Sequence, residues 1–190
     1  MKTSFPCVSS RLLKVGRLVL VAASASLISL ATTPNTASAA GADGTYRLTG
    51  GSGFLKAAGT TTDIPKSVFK SITRNQAAGI VVKKNKIKID PNTTAAFFQS
   101  LADEGTTLNP TVTGPTSLTL SPSGKNFSGQ INQPIVTKFT VTDEGKKSSV
   151  TIKTYVTATV KGGAITLLTR FSGSDGKDKA SGAITLLGKR

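Results

Sequence analysis

The sequence predicts a mainly β protein, an antiparallel meander curling into a barrel or half-barrel with one short helix. Three observations carry the prediction. Period-two alternation recurs through the second half of the chain and is clearest at Lys147–Val160. There Val150, Ile152, Val156, Ala158 and Val160 share one face, while Thr151, Lys153, Tyr155, Thr157 and Thr159 share the other. Short glycine-bearing turns separate the alternating runs, at Asp143–Gly145, Lys161–Gly163 and Ser172–Lys177. Well-marked helical spacing, capped at both ends, occurs in one place only. Closure into a barrel would remove the edges of such a sheet; a two-layer sandwich is the competing arrangement.

Residues 1–39 read as a secretory signal. Lys2, Arg11, Lys14 and Arg17 form a basic segment, and Leu18–Ala31 is apolar and small. Pro34 and Asn35 break that run before the A-x-A cleavage site Ala37-Ser38-Ala39. The run is too short and too rich in serine to span a bilayer comfortably, an uncleaved membrane anchor being the competing reading. Cys7, the single cysteine, precedes the run, whereas a lipid-bearing cysteine would follow it. The expectation is an exported bacterial protein, periplasmic or extracellular, whose residues 40–190 form a single β-rich domain.

That domain has no Cys, His, Met or Trp. Disulfides, on which small secreted domains often depend, are therefore excluded. A chain of this length instead buries roughly 68–70% of its unfolded surface, enough for an ordinary core. The leader takes four of the 24 Lys and Arg and none of the nine acids, which leaves +11 on residues 40–190. Such a balance favours solubility and contact with anionic polymers or membrane surfaces.

Taken in order, Gly41–Gly44 is a flexible start and Thr45–Thr49 alternates as a strand. Gly50–Gly53 is predicted to turn, with Phe54–Ala57 returning as the hairpin partner. Gly59–Asp63 reads as a loop. Ile64–Thr73, with Val68, Phe69 and Ile72, suits a short helix or a buried strand, and periodicity does not decide.

Ala78–Gly105 is the stretch around which the rest is organised. Gly79–Lys83 is an apolar β-branched run, and Lys84-Asn85 supplies a turn because Asn tolerates a left-handed backbone. Lys86–Ile89 alternates lysine with isoleucine. Asp90-Pro91 then provides an N-cap and a first helical residue. Helical spacing places Phe97 and Leu101 on one face with Phe98 and Ala102 beside them, and Gly105 closes the helix. Burial of Phe97, Phe98 and Leu101 would contribute roughly 1.5–3 kcal/mol each.

Thr106–Pro115, with two prolines and four threonines, reads as an extended surface loop. Beyond it, alternation predicts strands at Leu118–Leu120, Phe127–Ile131, Ile135–Thr142, Lys147–Val160, Ala164–Phe171 and Ala180–Leu187. Gly-Ala-Ile-Thr-Leu-Leu occurs at 163–168 and again at 182–187. Two copies without a fixed period mark two strands of similar need, not a repeat architecture.

The chemistry is sparse. Without His or Cys, the commonest general base, the thiol nucleophile and most zinc sites are excluded. Asp103-Glu104 and Asp143-Glu144 are each adjacent in sequence and read as solvated surface; a glycosidase pair must converge from separate elements. Ser67-Val68-Phe69-Lys70 has S-x-x-K spacing but lacks the S-D-N and K-T-G partners. Ser172–Asp178 offers only two carboxylates, with Lys177 and Lys179 interleaved, and reads as a hairpin turn and not a calcium loop. Gly51-Ser52-Gly53 lacks phosphate-loop spacing.

The densest basic cluster is Lys83, Lys84, Lys86 and Lys88, of which Lys84, Lys86 and Lys88 are predicted to form one positive stripe around the turn. Lysines of this kind also serve to protect a strand edge from pairing. Nucleic acid is not expected as a partner, since the protein is exported and no aromatics interleave the lysines. Two readings follow. The first is a non-catalytic exported protein binding an anionic envelope polymer or lipid surface through Lys84, Lys86 and Lys88. The second is a carrier enclosing a small apolar molecule between the sheet and Phe97, Phe98 and Leu101. An enzyme is a distant third, and no cofactor is implied.

Overall fold

A computed structural model describes residues 41–57, 59–74, 79–89, 107–143, 146–174 and 179–190. Among them one helix forms, α1 (Lys66–Arg74), with β1 (Gly44–Ala57), β2 (Thr60–Asp63), β3 (Gly79–Lys83) and β4 (Lys86–Lys88) around it in the chain. There follow β5 (Thr107–Thr113), β6 (Ser117–Thr119), β7 (Ser121–Ser123), β8 (Asn126–Gln130) and β9 (Ile135–Asp143). The long strands β10 (Lys146–Lys161), β11 (Ala164–Ser174) and β12 (Lys179–Lys189) complete the fold.

All these strands belong to one antiparallel sheet, in the order β5-β9-β10-β11-β12-β1-β3-β4-β6, which curls into a half-barrel. A single continuous sheet replaces the alternative of two stacked layers. Its two ends differ. At one end β6 continues through Leu120 alone into β7, β7 pairs with β8, and β8 pairs with β10 over Phe127–Gln130. Pairing there can be followed from β10 through β1, β3 and β4 and back to β10. At the other end the partner of β10 is β9, with β5 beyond it, while β1 ends against β2. That end stays open.

The inner face is apolar where alternation predicted it. Val150, Ile152, Val156, Ala158 and Val160 of β10 are buried, as are Ile165, Leu167 and Phe171 of β11 and Ile184 and Leu186 of β12. The duplicated hexapeptide occupies β11 and β12 side by side, with Leu167 opposite Leu186. Tyr46, Ile80, Ile87 and Leu118 complete the core at the closed end. The two buried polar residues among the described ones, Thr137 and Thr169, lie on the inner face of β9 and β11.

Three local expectations change and one open choice is decided. Gly50–Gly53 does not turn; β1 runs through it for 14 residues with an irregularity in register between Leu48 and Gly50. The glycines serve a different end. A Cβ on Gly51 would lie 2.5 Å from Phe69 Cδ1, and one on Gly53 would lie 2.7 Å from Ile64 Cδ1. Bare backbone is what lets α1 and the residue leading into it approach the sheet. Ile64–Thr73, left open between helix and strand, is therefore largely α1, with Phe69 buried on β1.

Gly59–Asp63 is not a loop, because its β-branched threonines fold back as β2 along Phe54–Ala57. Thr106–Pro115 is mostly strand. Thr107–Thr113 pairs with β9 as the outer strand β5, and Pro110 is tolerated there because an outer strand has one side without a ladder. The helix expected at Asp90–Gly105, with Phe97, Phe98 and Leu101, lies outside the described residues.

Candidate functional site

The β3–β4 hairpin carries the lysines singled out from sequence. Lys84 and Asn85 form its two-residue turn with φ of 52° and 54°. Two consecutive left-handed residues match the right-handed twist of the flanking strands, at some backbone cost to Lys84. Asp43 offsets that cost. Its carboxylate accepts the Lys84 N–H and the Asn85 N–H, both at 2.7 Å. The Asn85 side-chain oxygen accepts the Ala42 N–H at 3.3 Å in return.

A second tie holds the same end. The Tyr46 hydroxyl donates to the Ala42 carbonyl at 2.6 Å. Arg190 donates to that hydroxyl through Nε at 3.1 Å and to the Gly41 carbonyl at 2.8 Å, with its guanidinium 5.3 Å from the Tyr46 ring centroid. The hairpin turn is thus tied to Ala42 and Asp43, and that segment is held in turn by Tyr46 and Arg190.

Alternation then aims the side chains. Ile87 and Ile89 turn into the core, while Lys86 and Lys88 are exposed. Lys83 stands directly across from Lys86, so the stripe is Lys83, Lys86 and Lys88, with Lys84 exposed at the turn beyond them. Sequence reasoning missed how this charge continues around the sheet. Arg47 of β1 pairs with Lys189 of β12, and Lys161 of β10 sits one residue further across the same row, beyond Ala164. No local pattern in the chain signals this row, because its members come from three strands distant in sequence.

Among the described residues, the others singled out from sequence do not assemble a reactive centre. Ser67 and Lys70 are both exposed on α1. Asp143 ends β9 opposite Lys146 in the strand register, and Glu144, Asp103 and Glu104 lie outside the described residues. No group of three or more potential metal ligands occurs among the described residues. No described helix is long and apolar enough to cross a membrane. Compared with protein families, curated proteins and solved structures, the chain has no match.

Proposed function

We propose that this is an exported, non-catalytic protein that binds an anionic partner, an envelope polymer or lipid surface, through the basic outer face of its half-barrel. One observation carries the reading. Lysines that guard a sheet edge belong on an edge strand, but β4 is paired on both sides, with β3 and with β6. The lysines therefore have no edge to protect. They also stand in like-charge pairs, Lys83 opposite Lys86 and Arg47 opposite Lys189, an arrangement that disfavours folding by a fraction of a kcal/mol each. A cost retained without a structural return supports a role in binding. The alternative of a small-molecule carrier is less favoured, because the inner face among the described residues is occupied by packed side chains.

Export rests on the leader, and the fold is compatible with cleavage after Ala39. Ala42 is fully buried and Asp43 is engaged in the hairpin turn, so ordered packing close beyond that bond supports this reading. Binding to a long acidic polysaccharide should fall steeply between low and high salt, since each lysine contact releases a counterion. The variant Lys84→Glu/Lys86→Glu/Lys88→Glu should lose at least about tenfold in low-salt affinity while melting within a few degrees of wild type. Wild-type binding indifferent to both salt and the substitutions would defeat the reading.

A further inference from the structure

At the open end of the sheet, far from the hairpin, strand register builds a second basic surface. One row crosses four strands: Lys153 of β10 lies opposite Ser172 of β11, Ser172 opposite Ser181 of β12, and Ser181 opposite Lys56 of β1. The row beside it, shifted by one strand, runs Lys138, Thr151, Ser174 and Lys179. Each row therefore has a lysine at both ends and two hydroxyl residues between them. All four lysines are exposed. Lys56, Lys153 and Lys179 rim a concave surface of about 560 Å³ whose floor includes Ser172 and Ser181.

Neighbouring strands lie about 4.8 Å apart, so the lysines ending one row are roughly 14 Å from each other, and the two rows are separated by roughly 7 Å. A small anion could touch one end only. An extended chain with charge at intervals can meet several ammonium groups while its own hydroxyls exchange hydrogen bonds with the floor. The next row of the same face carries Tyr155 and Phe54, exposed by 47% and 41%, on either side of Arg170 and Ala183.

We infer that the Lys56/Lys153/Lys179 cradle is a binding site for an acidic glycan, engaging the acid groups through its lysines and the sugar hydroxyls through Ser172 and Ser181. The inference deepens the proposed function and rests on it for the long polymer alone. Arg47 and Lys56 are nine residues apart on one strand, so the cradle and the hairpin region are separated by roughly 30 Å. A long polymer can reach both, with a gain in avidity; a short oligomer can reach one. Asp175, Lys177 and Asp178, in the β11–β12 connection, lie outside the described residues.

The test uses the purified protein, a trimer of galacturonic acid, long polygalacturonate, neutral dextran and vesicles containing phosphatidylglycerol. Lys56→Glu/Lys153→Glu/Lys179→Glu should lower trimer affinity at least about tenfold, whereas the hairpin triple variant should leave it within about twofold. Either variant should weaken binding to the long polymer. Ser172→Ala/Ser181→Ala, which leaves every charge in place, should weaken the trimer several-fold, and dextran should not bind. Equal loss of the trimer in both triple variants would reduce the effect to net charge and overturn the site. So would trimer binding untouched by the cradle variant, or binding to vesicles without binding to the trimer. If only the hairpin variant weakens the long polymer, the cradle fails while the proposed function stands; if only the cradle variant does, the hairpin assignment fails and the cradle stands. Thermal melting within a few degrees of wild type confirms that each variant is folded.

Discussion

The two ends of the half-barrel cover the same kind of apolar inner face by different means. At the closed end the cover is backbone: β3, β4 and β6 carry the sheet around, and β7 and β8 bring it back to β10. At the open end the cover is a side chain, with Phe69 of α1 lying over Gly51 of β1. At the closed end β3, β4 and β8 each pair on both sides, which leaves little space between chains. A Cβ on Gly129 would stand 2.0 Å from the Thr119 carbonyl oxygen, so glycine is required where β8 passes β6. A helix laid over a strand demands less of the backbone and binds it less tightly. The difference teaches that closure and capping are alternative answers to the sheet-edge problem within one chain, and it places the hairpin at the closed end.

Three substitutions can break or sharpen that contrast. Leu118→Ala should have the largest effect, about 4 kcal/mol, because Leu118 is 1% exposed beside Ile87 where β4 and β6 complete the wall. Its urea transition should move as a whole, with all probes coincident; an unchanged midpoint would mean that the closed end is not the stable part of the fold. Phe69→Ala should cost about 3 kcal/mol, near the lower limit for a buried phenylalanine. Its signature is regional: amide exchange should accelerate in α1, β2 and the second half of β1 while β3, β4 and β6 keep their protection. Uniform acceleration would erase the distinction between the two ends. Asp43→Ala should be the mildest, about 1 kcal/mol, since it removes the acceptor for the Lys84 and Asn85 N–H groups from a partly solvated turn. Replacing Lys84 by glycine in that background should recover part of the loss, because glycine adopts φ of 52° without strain. No recovery would show that Asp43 acts on the N-terminal segment and not on the turn.

The binding surfaces follow the same division. The hairpin lysines lie close together in sequence and are presented by the closed end. The cradle lysines, Lys56, Lys153 and Lys179, are spread over the chain and meet only through pairing at the open end.

Local chemistry was enough to place what depends on neighbours in the chain. The alternation in β10, β11 and β12, the turn at Lys84-Asn85, the inward Ile87 and Ile89 and the outward Lys86 and Lys88 are all period-two or turn effects, set within a few residues. The curled antiparallel sheet followed from them. Other features depended on partners that sequence neighbours cannot supply. Whether Gly51 and Gly53 turn the chain or make room in a straight strand is decided by Phe69 and Ile64 arriving above them. Whether Thr107–Thr113 is loop or strand is decided by the pairing groups that β9 leaves open beside it. Register between strands is a long-range property, set by the packing of the whole inner face, and a shift of one residue would disperse every row of charge on the outer one. The individual lysines could therefore be read from the chain, but their grouping into a cradle arose only when the sheet was assembled.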